Sequence, residues 1–134
     1  MSGPFHSLDI AASGMDVYQT WLNAVADNVA NINTIRSTDE VAYQERFVVV
    51  QAVEENGRPG GARVTGAEFG SARGRMLYDP GHPLADEDGM VLGPDMDLTD
   101  QMTHMLAAQR AYQANVSAFE RARDAYLRAL EIGK

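Results

Sequence analysis

Apolar residues recur at heptad spacing over both ends of the chain. Near the N-terminus, Leu8, Met15, Leu22 and Val29 lie seven apart, and Ala11, Tyr18, Val25 and Ile32 form a second row three residues on. This a/d pattern predicts one helix from about Ser7 to Thr34, roughly 38 Å long. Ser7 is placed to cap its start, and Asp9 sits near the positive end of the helix dipole. Asn28, Asn31 and Asn33 cluster at the far end, where Asn tolerates the left-handed backbone that stops a helix. Asn28 and Asn31 are therefore read equally as helix caps or as assembly contacts.

Near the C-terminus, Leu98, Met105, Tyr112, Phe119 and Tyr126 make one row, and Met102, Gln109, Val116, Arg123 and Leu130 the other. Gln109 and Arg123 thus fall at expected seam positions, where a polar residue lowers stability and specifies register. Pro94 and Asp97 mark the start, and the helix predicted over 98–132 would span about 51 Å. Asn115 lies on the same helix as a candidate for hydrogen bonds across an interface.

Between the helices, residues 35–97 are punctuated by Gly and Pro. Tyr43–Val53 is rich in β-branched residues, and Ala62–Phe69, Met76–Tyr78 and Met90–Leu92 are short strand candidates. Glu55-Asn56-Gly57 is a hairpin turn, continued by Pro59-Gly60-Gly61, and Asp79-Pro80-Gly81-His82-Pro83 is a second turn cluster. The expected fold is mainly α with a small β segment: two long terminal heptad helices paired as a coiled-coil-like rod around a loop-rich middle. The expected division is 1–34, 35–97 and 98–134. A helix of about 51 Å exceeds the width of a small domain. The middle segment is too short to cover both apolar stripes, and long uncovered stripes point to partners.

Composition narrows the function. The 134 residues carry a net charge of −8. The acidic excess lies on the first helix, which has Asp9, Asp16 and Asp27 and no base, and on the middle segment; the last helix is balanced. Such acidity disfavours a nucleic-acid partner. The longest aliphatic–aromatic run is Phe47–Val50, far too short for direct membrane insertion. The first basic residue is Arg36, so a cleavable secretory signal is not expected. There is no cysteine, and His6, His82 and His104 are scattered without ligand spacing. Asp86-Glu87-Asp88-Gly89 lacks the alternating ligands of a calcium loop and reads as a solvated acidic turn. No nucleophile, base or phosphate loop stands out, so no enzyme activity, metal or cofactor is expected.

Three stretches carry a resemblance. Asn23-Ala24-Val25-Ala26-Asp27-Asn28-Val29-Ala30-Asn31-Ile32-Asn33-Thr34 resembles the Ala-x-Asn-Leu-Ala-Asn-x-x-Thr signature of the flagellar rod and hook axial proteins. Tyr78-Asp79-Pro80-Gly81-His82-Pro83-Leu84-Ala85-Asp86-Glu87-Asp88-Gly89-Met90-Val91 is similar to a Tyr-x-Pro-Gly-x-Pro-x-Ala-Asp-x-x-Gly-Tyr-Val stretch of one basal-body rod branch. Arg110-Ala111-Tyr112-Gln113-Ala114-Asn115 matches the family's C-terminal Arg-x-Tyr-x-Ala-Asn element. The chain departs at Met90, Asp95 and Gln101, where that pattern tends to have Tyr, Asn and Glu. The resemblance implies a structural subunit of the proximal rod that assembles with itself and other rod subunits in the periplasm-spanning shaft. It also implies export through the flagellar type III apparatus. Another axial protein of the same assembly, or a non-flagellar helical-hairpin adaptor, would use the same heptads.

Overall fold

The computed structural model describes residues 3–133, apart from the side chain of Pro4. Two helices, α1 (Pro4–Asn31) and α2 (Leu98–Ile132), enclose four strands in sequence: β1 (Arg46–Glu55), β2 (Arg58–Phe69), β3 (Arg75–Tyr78) and β4 (Met90–Gly93). The strands form two two-stranded sheets, β1–β2 and β3–β4. Helix α1 starts before Ser7: the Gly3 carbonyl accepts from the His6 and Ser7 amides, and Pro4 occupies the first helical position, where its missing N–H costs nothing. Ser7 is therefore not the cap. The helix also ends without left-handed asparagine. Asn31 turns back to the Asp27 carbonyl and Thr34 closes on Asn31, while Asn56 is the one non-glycine residue with positive φ among the described residues.

The chain divides into two compact units. The first comprises residues 1–22, 48–66 and 106–134. Its hairpin turns at Asn56 (φ 55°) and Gly57 (φ 74°), the pair of positive φ values that a type I′ turn requires. Pro59-Gly60-Gly61 lies inside β2 rather than prolonging the turn. Gly61 is needed there because a Cβ would overlap Ser13 Oγ, which accepts from the Ala62 amide (3.2 Å) and donates to the Ile10 carbonyl (2.7 Å). Within this unit Phe5 packs on Tyr126 at 4.5 Å between ring centroids, the rings inclined by 54°, and Gly14 abuts the Asn115 amide. Positions rise on α1 as they fall on α2, so these segments run antiparallel.

The second unit comprises residues 23–47 and 67–105. Strands β3 and β4 pair antiparallel from Arg75↔Gly93 to Tyr78↔Met90, and Arg36 bridges the free side of β4 at Leu92. Val25, Ala42, Val91, Leu92 and Met96 are buried. Asp97 caps α2 by accepting from the Thr99 (2.7 Å) and Asp100 (3.3 Å) amides.

The loop from β3 to β4 is organised by Asp86. Its carboxylate accepts from the Asp88 and Met90 amides (2.9 Å each) and from the Thr38 hydroxyl (3.1 Å). These bonds, that from Met90 foremost, hold its pKa below the ordinary carboxylate value. A depressed folded-state pKa contributes stability that is present above the unfolded value and lost as pH falls through the folded one. Amide exchange of Asp88 and Met90 should therefore stay protected from about pH 6 down through the ordinary carboxylate value, lose protection only at more acid pH, and be unprotected throughout in Asp86→Ala.

Candidate functional site

At the end of α1 in the second unit, sequence and structure build a polar junction. Asn28 is 1% exposed and Gln101 is 0% exposed. Asn28 Oδ1 accepts from the Arg46 amide (2.9 Å), while Nδ2 donates to the Arg46 carbonyl (3.1 Å) and to Gln101 Oε1 (3.1 Å). One side-chain amide thus serves both backbone groups of Arg46, as a neighbouring strand would. Gln101 Nε2 in turn donates to Glu45 Oε1 at 2.5 Å. The Tyr43 hydroxyl, its pKa pushed up by burial, stays protonated and lies 3.4 Å from Asn28 Oδ1. Arg46 also pairs with Asp27 at 2.9 Å, but both side chains are about half exposed and such pairs contribute at most ~1 kcal/mol. The junction fastens the last turn of α1, the entry to β1 and the first turn of α2.

The two buried side chains of this junction, Asn28 and Gln101, are bonded to other parts of the chain. Among the described residues no buried side-chain nitrogen or oxygen lacks a partner, and no three His, Asp or Glu side chains gather as a metal set. No described helix is long and apolar enough to cross a membrane.

The heptad residues of α1 are withdrawn from solvent to differing degrees. Val25 and Asn28 are buried, and Leu8, Met15, Tyr18, Leu22, Val29, Asn31 and Ile32 are half-buried. On α2, Met105, Tyr112, Phe119 and Tyr126 are half-buried, but Leu98 at the head of that row is exposed. The expected second row is displaced. Met102, Gln109, Arg123 and Leu130 face solvent, and only Val116 is half-buried. The inward row is instead Gln101, Ala108, Asn115 and Ala122, one residue earlier. At Asn115 the reason is steric: the side chain lies against Gly14, where a Cβ would overlap its amide. Hydrophobicity alone favours the bulkier neighbouring row. Glu45 carried no signal as a single residue, and Gln101 stood out only as a departure from the family pattern; a further signal for Gln101 was its seven-residue spacing to Ala108, Asn115 and Ala122.

What remains on α2 is an outward surface with large apolar side chains in the open: Leu106 is 55% exposed, and Met102, Leu127 and Leu130 are each 49% exposed. In the first unit, Val17, Tyr18 and Trp21 of α1 line an open crevice with Val48 and Val50 of β1.

A family model described as the flagellar basal body rod FlgEFG protein C-terminal matches residues 87–132. Among curated proteins, the flagellar basal-body rod protein FlgC of Yersinia enterocolitica is 35% identical over 127 residues, covering 94% of this chain and 95% of the relative. The FlgC protein of Salmonella typhimurium is 32% identical with the same coverage. That of Aquifex aeolicus is 35% identical over 131 residues, 97% of each chain.

Proposed function

Because this chain belongs to the family of the flagellar basal-body rod protein FlgC and is a structural rod subunit, we propose that it polymerises through its terminal helices, whose contacts carry torque. Segments 1–34 and 98–134 form the rod core, and 35–97 braces adjoining layers. The withdrawn rows, Leu8, Met15, Tyr18, Leu22, Val25, Val29 and Ile32 against Met105, Tyr112, Val116, Phe119 and Tyr126, pair the helices in a coiled-coil-like manner. Asn28, Asn31 and Asn115 fix helix ends and register. Leu98, Met102, Gln109, Arg123 and Leu130 turn outward to neighbouring subunits. The subunit works in the rod that crosses the periplasm, meets sibling rod subunits there, and reaches it through the type III export apparatus.

The observation that carries this reading is the open apolar surface of α2, which a chain working alone would have no reason to keep. The test is Leu106→Asp combined with Leu127→Asp. Both side chains stand about half in solvent, so helix content and urea midpoint should match the parent. Secretion should continue, but purified basal bodies should lack the rod and swimming should stop. Normal rods and motility in this variant would overturn helix-mediated assembly. A free-standing adaptor would instead give a saturable complex of fixed stoichiometry.

A further inference from the structure

The acidic residues of α1 and three of the four arginines of α2 share an arithmetic that composition hides. Asp9, Asp16 and Asp27 are separated by steps of seven and then eleven residues; Arg110, Arg121 and Arg128 by steps of eleven and then seven. On a 3.6-residue helix each such step returns a side chain to within about 20° of its starting direction. Each trio therefore forms one line along its helix, and all six side chains are exposed. The orders are mirror images. Laid antiparallel, Asp9 meets Arg128, Asp16 meets Arg121 and Asp27 meets Arg110 without slippage.

The chain does not make these pairs with itself. Within the first unit Phe5 meets Tyr126 and Gly14 meets Asn115, a register six to eight residues away from the one that matches the charges. Among the described residues, Asp9, Asp16, Arg110, Arg121 and Arg128 enter no ion pair; Arg121 donates only to the Ser117 carbonyl (3.3 Å), and Asp27 is held by Arg46. Beside the arginine line lie the exposed Ala114, Ala118 and Ala125, and beside Asp9 and Asp16 the exposed Ala12. Small side chains there let a second helix come close enough for the charges to meet.

From this matched spacing we infer that the outer face of α1 docks on the outer face of α2 of a second copy of this chain, with Asp9 on Arg128 and Asp16 on Arg121. The inference rests on the proposed use of the terminal helices in assembly and names the partner. The contact is heterologous, since one copy offers acids and the next bases; such a contact closes into a ring or, where its rotation does not close, propagates as an open helical array. Ion pairs at an exposed face add little affinity singly; they set register and orientation and exclude a copy laid parallel.

The experiment uses the full chain with Arg121→Glu/Arg128→Glu, with Asp9→Arg/Asp16→Arg, and with all four changes together. Circular dichroism checks that each keeps the parent's helix content. Light scattering against concentration reads self-association at low and high salt. Each double variant should associate at least about tenfold more weakly at low salt, because like charges then face each other. The fourfold variant, its charges exchanged, should recover parent-like association, and all differences should shrink near 1 M salt, where screening acts within about 3 Å. Asp16→Arg with Arg121→Glu is the milder exchange should the fourfold chain lose helix, and the same recovery is expected of it. Doubles that associate like the parent, or a folded exchange variant as weak as the doubles, would overturn the inference. If reversed-charge cells swim normally while the Leu106/Leu127 variant does not, rod assembly through α2 stands and this docking register falls.

Discussion

Asn28→Ala is expected to lower unfolding stability by about 3 kcal/mol, from the loss of buried hydrogen-bond partners. The substitution takes three bonds at once, from the part-buried Arg46 amide and carbonyl and from Gln101 Oε1. Gln101 is fully buried, so its carbonyl oxygen is stranded away from water, and stranding costs more than the net worth of the bond. Against a total stability typical of a domain, about 5–15 kcal/mol, such a loss is large. Urea denaturation measures it. Gln101→Ala should cost a similar amount. The double variant should fall short of the sum by roughly 1 kcal/mol or more, since the residues share a bond. A loss below about 0.5 kcal/mol in Asn28→Ala, the range of ordinary surface changes, would remove the junction from the account.

Gly74→Val is expected to be at least as damaging. Gly74 sits at φ +62°, a conformation that costs a side-chain-bearing residue about 1–2 kcal/mol. Its Cβ would overlap the Gly93 carbonyl oxygen and Ala42 Cβ. The first is backbone paired to β3 through Arg75↔Gly93, and the second is buried, so neither can yield without opening the sheet. Overpacking of this kind adds about 1–3 kcal/mol. Thermal melts should show a drop in Tm of more than about 10 °C for a chain of this size. Amide exchange should accelerate first at Met76 and Leu92, the register pair beside the clash. Gly66, where a Cβ meets open space, is the control and should tolerate alanine.

Much of the fold could be read from the chain. Both helices lie within three residues of their expected ends, because heptads of apolar residues, and for α2 a capping Asp97 with Pro94 upstream, leave little choice. The hairpin turned where Asn56-Gly57 required it, since few residues accept two successive positive φ values. The inward row of α2 was harder. Periodicity sets which positions share a side of a helix, but it does not say which side meets the partner. The heptad row through Met102, Gln109 and Arg123 faces solvent, whereas Gln101, Ala108 and Asn115 are withdrawn, Asn115 lying against Gly14.

The candidate site divides the same way. Asn28 was marked by its place in a family signature, yet as a helix cap or contact; its bonds to Arg46 and Gln101 join positions 18 and 73 residues away, and local pattern carries no such separation. Sequence alone determined the elements, the charge lines along the helices and the family likeness, because these depend on periodicity, turn chemistry and residue order. Only the tertiary structure decided which face is buried and which polar groups find each other. Both depend on how closely backbones approach, and that distance is set jointly by residues far apart in the chain.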